Sequence, residues 1–181
     1  MQRDELVRIL TSANLPLDKW GTGKAKTLEH LLQEINSGEI QLISTEKGLL
    51  RVVSVAMVDV FYQDGSGRSM RLQEDRQVFA GSRERRRNLD SSLAEKILPG
   101  ENSEMAARRA VAEELQIRDD FGLVPNRNFV KGPTESESYP GLQTRYDMFC
   151  FFLHIPTRHF KPEGYVEIMP DKTTYFVWQK Q

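Results

Sequence analysis

Length, composition and charge narrow the classes to which this chain can belong. Its 181 residues suit one domain, or one domain with an extension, and nothing in the composition suggests disorder. With 25 basic and 26 acidic residues the formal net charge is -1, which excludes bulk attraction to nucleic acid or to an anionic membrane. Cys150 is the only cysteine, so an internal disulfide and a cysteine-based zinc site are excluded.

The first residues contain no apolar signal core, and the most apolar run of the chain is interrupted by Asp59. A secretory leader or a membrane-spanning helix needs a longer uninterrupted apolar stretch. We therefore expect a soluble, cytoplasmic protein with no membrane partner.

The segment 1–38 predicts two short helices. Apolar residues recur at helical spacing in two stripes, Leu6, Ile9, Leu10 and Ala13, then Leu28, Leu31, Leu32 and Ile35. Ser37 and Gly38 form a helix stop signal. The chain is thus expected to carry a helical N-terminal extension, 1–38, before a domain that spans 39–181.

Strand-like sequence begins after this extension. The segments 40–44 and 49–62 are rich in Val, Ile, Leu and Phe, and a glycine-containing turn at 64–67 returns the chain through 70–79 as an antiparallel partner. Further on we expect a strand at 123–130, a polar loop at 132–141, a long strand at 143–155 and a closing hairpin of 165–169 with 173–179. Strands, one helix and strands again predict an α+β fold.

Between these groups of strands, the segment 103–116 has the composition of a helix. Asn102 and Ser103 are capping residues, and good helix formers fill the interior. Four-residue spacing predicts a buried stripe of Ala107, Val111 and Leu115. The opposite side is then expected to carry Arg109, Ala110, Glu113 and Glu114.

This segment resembles the Nudix box, GX5EX7REUXEEXGU, where U is a bulky aliphatic residue. Six residues fall on defined positions in one register: Glu101, Arg109, Val111, Glu113, Glu114 and Ile117. Three positions depart, with Glu95 and Gln116 in place of glycines and Ala110 in place of a carboxylate. The resemblance, which covers residues 95–117, implies a Nudix-type mixed β-sheet/α sandwich. The alternative is an ordinary amphipathic helix, since exposed Arg and Glu pairs can imitate the second half of the box.

The resemblance also implies a chemistry, hydrolysis of a phosphoanhydride with a divalent metal. Glu113 and Glu114 would be the catalytic residues and would hold Mg²⁺ or Mn²⁺, while Glu101 would pair with Arg109 to lock the loop against the helix. The carboxylate missing at Ala110 implies an impaired metal site. Other carboxylates are candidate replacements or ordinary surface residues: Glu95, Glu135, Glu137 and Asp147.

Substrate-binding candidates come from outside the box. Four arginines occupy five positions at 83–87, a run that is typical of a solvated loop but lies just upstream of the box. From it Arg85 and Arg87 are candidate ligand contacts, and RNA is a candidate partner of the run. Tyr139 and Arg145 are further candidates to stack on a base or to hold a phosphate, the alternative being packing at a strand edge.

Two functions are therefore open. The first is a Nudix-like protein with a degenerate metal site that binds a nucleotide or another phosphorylated ligand with weak or no hydrolysis. The second is an active Mg-dependent pyrophosphohydrolase of nucleoside diphosphate-linked substrates. The missing motif residues favour the first, and the Glu113-Glu114 pair favours the second. The sequence leaves the ligand and the oligomeric state open.

Overall fold

The computed structural model describes residues 1–81, 83–86 and 89–181. Its α-helices are α1 (Arg3–Ser12), α2 (Leu28–Asn36) and α3 (Ser103–Glu114), and short 3-10 helices lie at Leu17–Lys19 and Thr157–His159. Within the described residues, no helix combines the length and apolar character that crossing a membrane requires. The two helices predicted in 1–38 and the helix predicted at 103–116 are present.

The strands match most of the predicted pattern. They are β1 (Gln41–Thr45), β2 (Gly48–Gln63), β3 (Ser69–Phe79), β4 (Glu84–Arg85), β5 (Leu93–Lys96), β6 (Leu123–Glu135), β7 (Gln143–His154), β8 (Tyr165–Ile168) and β9 (Lys172–Lys180). The strand order is β6-β7-β2-β3-β9-β8, while β1 and β5 pair with β2 and β4 pairs with β3. The predicted α+β class is confirmed.

One predicted loop begins too early. The segment 132–141 was expected to be a polar loop, whereas β6 continues to Glu135 as the neighbour of β7. Because β6 is the last strand in the order, Pro133 removes no hydrogen bond that an inner strand would need. The remaining turn is closed by Glu135, whose Oε1 accepts a hydrogen bond of 2.8 Å from the Gly141 amide.

The chain divides into two compact units, and the first comprises Met1–Val55, Lys96–Glu101 and Asn128–Met148. In it β1 pairs antiparallel with the start of β2, from Gln41 opposite Val52 to Thr45 opposite Gly48. Its core combines residues from both helices, the strands and the 136–142 turn: Leu6, Leu10, Leu31, Val53, Tyr139 and Leu142. A domain boundary after residue 38 stays a prediction.

The second unit comprises Ala56–Glu95, Asn102–Arg127 and Phe149–Gln181. In it β3 pairs antiparallel with the end of β2 and, over its whole length, with β9. The closing hairpin of β8 and β9 is confirmed, with Tyr165 opposite Phe176. Helix α3 contributes a row of small buried residues to the core of this unit.

Candidate functional site

Helix α3 begins at a side-chain cap. Asn102 Oδ1 accepts a hydrogen bond of 2.8 Å from the Met105 amide, which satisfies one of the free N–H groups of the first turn. The helix ends at Glu114, and Leu115 is its C-terminal cap. The predicted stripe is confirmed, since Ala107, Val111 and Leu115 are all buried.

The expected position of Ala110 on the solvent side of α3 is wrong. Ala110 is 0 % exposed, as is Ala106 one turn earlier, so the buried face is wider than the predicted stripe. The side chain of Glu113 is 56 % exposed, and Glu114 is half-buried. Small residues on a helix are compatible with either side, and here a second row of them packs inward. A carboxylate side chain introduced at position 110 would therefore be attached to a buried position of the helix.

Arg109 lies between two carboxylates. Its Nη1 is 3.4 Å from Glu95 Oε1 and 3.7 Å from Glu113 Oε2. The side chains of Arg109 and Glu95 are both largely buried. Glu95, a candidate replacement metal ligand, is thus engaged by an arginine, and Glu113 already has a cation beside it.

The carboxylates of the box helix form a sparse donor set for a divalent metal. Mg²⁺ prefers oxygen ligands in near-octahedral geometry, usually with one or two protein carboxylates and the phosphates of a substrate. No group of three or more His, Cys, Asp or Glu residues close enough to hold a metal ion occurs in the part of the chain that the structure describes. Glu113 and Glu114 remain as candidate ligands, but the guanidinium of Arg109 competes electrostatically for the same face.

Glu101 organises the loop that precedes α3 in the chain. Its Oε2 accepts a hydrogen bond of 3.0 Å from the Leu98 amide, and its own amide donates to the Leu98 carbonyl at 3.0 Å. These two bonds close a tight turn. The pairing of Glu101 with Arg109 that the Nudix resemblance implies stays a prediction.

Gln116 keeps the backbone conformation of a glycine although the glycine of the box is absent. Its φ is +60°, in the left-handed region that a side chain disfavours by about 1 to 2 kcal/mol. We expect Gln116→Gly to raise the free energy of unfolding by about 1 kcal/mol in chemical denaturation. Gln33→Gly, inside α2, is the control and should lower it by a similar amount. Equal losses in both variants would contradict this account of position 116.

A cavity of about 530 Å³ in the first unit contains Arg145, a substrate-binding residue predicted from the sequence, and is taken as the candidate ligand site. Its aliphatic walls come from α2, β1, β2 and the 97–99 loop: Ile35, Ile40, Val52, Ile97, Leu98 and Pro99. Its polar lining consists of Glu39, Gln41, Ser54, Arg145 and Asp147. Gly38, with φ +73°, allows the chain to approach the Pro99 ring, because a Cβ atom there would lie 2.2 Å from Pro99 Cγ.

Arg145 and Asp147 form an ion pair at this cavity. Arg145 Nη2 donates to Asp147 Oδ2 at 3.1 Å. Arg145 Nε lies 3.1 Å from Asp147 Oδ1 but without hydrogen-bond alignment, so this buried nitrogen has no well-directed acceptor. Of the described residues that line the cavity, Arg145 is the one with a positive charge.

A buried network of charges supports another wall of the cavity. The Glu34 carboxylate, 6 % exposed, accepts hydrogen bonds of 2.7 Å from both Lys26 and Arg51. Lys96 Nζ bridges Glu34 at 3.1 Å and Glu39 at 2.6 Å. Burial alone would raise the pKa of Glu34, but the bonds from Lys26 and Arg51 outweigh it and lower that pKa to about 2.

Tyr139 and Arg85, two further substrate-binding candidates, are not among the residues that line this cavity. Tyr139 is 0 % exposed and packs against Trp20, whose Nε1 donates to the Pro140 carbonyl, so its ring offers no face to a base. That role of Tyr139 is therefore corrected to packing. Arg85 is exposed on the short strand β4. Arg87 lies outside the described residues.

Sequence reasoning missed Glu39 and Lys96. Glu39 follows the helix stop signal at Ser37 and Gly38, which indicates a junction but no chemistry. Lys96 lies inside the box segment at a position the motif leaves undefined. Only the fold brings Lys96 to Glu39, which lines the cavity, because 57 positions separate the two residues in the chain.

Comparison with known proteins finds similarity at the level of structure alone. The sequence matches no family model and no curated protein. A mutT/nudix family protein from Listeria innocua has a TM-score of 0.42 and 16% identity over 59% of this chain and 67% of its own. An Ap4A hydrolase binary complex from C. elegans has a TM-score of 0.42 and 15% identity over 71% of this chain and 80% of its own.

A third structure, DR0079 from Deinococcus radiodurans, has a TM-score of 0.38 and 18% identity over 70% of this chain and 65% of its own. At these TM-scores the similarities carry no information about the ligand or the chemistry of this chain. The chain is similar in structure to a protein of the Nudix superfamily, which is the superfamily that its box at residues 95–117 resembles.

Proposed function

We propose that this chain is a Nudix-like binding protein. It takes a nucleotide or another phosphorylated ligand into the cavity lined by the 97–99 loop and hydrolyses it weakly or not at all. Arg145 contacts a phosphate, and any divalent metal, Mg²⁺ or Mn²⁺, binds weakly through Glu113 and Glu114.

The observation that carries this proposal is the state of the box helix. Ala110 is buried where the resemblance requires a carboxylate, and Glu95 and Gln116 stand where it requires glycines. The loss of a positioned acid or base typically lowers a rate by about a hundred- to ten-thousand-fold. The volume of the cavity is within the range of small-molecule sites, and Arg145 in its lining is paired with Asp147 through Nη2 while its Nε has no well-directed acceptor.

A thermal-shift panel of ADP, GDP, CDP and UDP, with and without magnesium, tests the proposal. At about a hundred times Kd, we expect a bound nucleotide to raise Tm by about 5 °C, with little dependence on magnesium. Arg145→Gln should abolish the shift, because it removes the guanidinium. Arg68→Gln is the control, since it removes the same charge from an exposed hairpin arginine. No shift with any of these nucleotides would count against the proposal.

The alternative, an active Mg-dependent pyrophosphohydrolase, is favoured by one observation. Glu113 is exposed and adjacent in sequence to Glu114, so the two carboxylates could still accept a metal. Magnesium-dependent cleavage of a nucleoside diphosphate sugar into a nucleoside monophosphate and a sugar phosphate, abolished by Glu114→Gln, would support this second function.

RNA binding through the arginine run is a weaker proposal. Arg86 pairs with Asp75 and Glu84, so part of the positive charge of the run is already balanced. Arg83 lies over the Phe79 ring. Both observations favour a role for these arginines within the protein.

A further inference from the structure

Glu39 is held in one orientation at the cavity wall. Ser37 Oγ donates to Glu39 Oε1 at 2.9 Å, and Lys96 Nζ lies 2.6 Å from Glu39 Oε2. Burial opposes its ionisation, but the bonds from Lys96 and Ser37 lower the pKa of Glu39, so it is a carboxylate at neutral pH. A carboxylate has about four lone-pair positions, and these two bonds use two of them.

A second ion pair, with Glu34, fixes the position of Lys96. Its Nζ also lies 3.1 Å from the buried Glu34 carboxylate, which Arg51 and Lys26 hold in turn. The Glu39 carboxylate is therefore already oriented to accept a hydrogen bond, and its side chain need not be ordered when a ligand binds. Such preorganisation lowers the cost of recognising a ligand group.

The charges of Glu39 and Lys96 determine which kind of ligand group can donate a hydrogen bond to Glu39. A phosphate would be repelled by the carboxylate, and an ammonium group would be repelled by Lys96 beside it. A neutral hydrogen-bond donor, such as a hydroxyl, suffers neither penalty. None of the described lining residues is aromatic, so discrimination in this cavity depends on polar contacts and aliphatic packing.

We infer that Glu39 is a specificity-determining residue that accepts a hydrogen bond from a sugar hydroxyl of the ligand, and that Lys96 is its positioning residue. The preferred ligand is then a phosphorylated ribose compound, such as a ribonucleotide, with free hydroxyl groups. This inference rests on the proposed function and deepens it, because it states which part of the ligand the cavity recognises.

Isothermal titration with ADP, GDP, CDP and UDP, each beside its 2′,3′-dideoxy counterpart, tests the inference without magnesium. A site built to bond a hydroxyl rejects the analogue that lacks it, because the acceptor is left unpaired. Each ribonucleotide that binds should do so about tenfold or more tightly than its dideoxy form. Glu39→Gln should reduce this preference at least about threefold.

Lys96 is tested in the same titrations. Lys96→Met should lower the preference for the ribose form as Glu39→Gln does, whereas Lys96→Arg, which keeps a donor to Glu39, should restore most of it. Glu29→Gln, an exposed carboxylate on α2, is the matched control and should leave the preference unchanged.

The outcomes separate the two proposals. If both forms bind equally to the unaltered protein, or if Glu39→Gln keeps the full preference, the inference about Glu39 is overturned while ligand binding stands. Loss of preference in Lys96→Met without recovery in Lys96→Arg would overturn the positioning role. Binding of neither form of any nucleotide would overturn the proposed function and this inference with it.

Discussion

Glu34→Gln is expected to lower the free energy of unfolding by about 3 to 5 kcal/mol, the usual cost of removing one partner from a buried ion pair. The carboxylate of Glu34 is buried against the charged groups of Lys26, Arg51 and Lys96. Without it, Arg51 is a buried guanidinium that has lost this counter-ion. Denaturation in urea, followed by tryptophan fluorescence, measures the loss.

Glu29→Gln, on the same helix α2, is the control. Glu29 pairs with Arg3 at 3.2 Å, but both side chains are more than half exposed, so the loss should stay below about 1 kcal/mol. Similar losses in the two variants would show that the buried network does not stabilise the fold more than a surface pair does.

The same network predicts how stability depends on pH. The folded-state pKa of Glu34 is about 2, below its ordinary value of 4.5, so the unfolded chain binds the proton more readily. The stabilisation is therefore complete above about pH 4.5 and declines as the pH falls towards 2. In the Glu34→Gln variant, the decrease in the free energy of unfolding that comes from protonation of Glu34 should be absent.

Ala110→Glu is expected to lower the free energy of unfolding by about 3 kcal/mol or more, because it forces a larger and charged side chain into the core. Ala110 is fully buried on α3. Helix propensity contributes only a few tenths of a kcal/mol, so packing and desolvation decide the outcome. The melting temperature of the variant, with and without magnesium, measures the effect.

Ala112→Glu is the matched control on the same helix. Ala112 is half-buried, and the same substitution there should cost less than about 1 kcal/mol. Magnesium should raise the melting temperature of neither variant. A small loss in Ala110→Glu that magnesium recovers would contradict the buried position and would restore the case for a three-carboxylate site.

The sequence predicts the elements of this fold better than it predicts their contacts. Helix α3 follows from local signals, an Asn102 cap and a run of good helix formers. Ala110 was misplaced because small apolar residues fit either side of a helix, and only the packing around it decides. The start of the predicted loop at 132–141 is wrong because the tolerance of an edge strand for proline depends on strand order, which the local sequence does not contain.

The candidate ligand site depends on contacts between distant segments. Tyr139 becomes a core residue because Trp20, far away in the chain, packs on its ring. Glu39 and Lys96 come into contact only in the folded chain, where Lys96 Nζ lies 2.6 Å from Glu39 Oε2. Arg145 was the one cavity residue that the sequence singled out for substrate contact, since an arginine near an expected ligand site carries a chemical signal of its own.

Phosphorus NMR of ADP, GDP, CDP and UDP mixed with equimolar protein tests the central claim most directly, because one spectrum reports binding and hydrolysis together. The account predicts that at least one nucleotide shows shifted or broadened resonances without magnesium. It also predicts that a new phosphate resonance grows slowly or not at all after magnesium is added. Unchanged spectra for all four, or a product resonance that grows rapidly with magnesium and is lost in Glu114→Gln, would contradict a metal-independent binding protein.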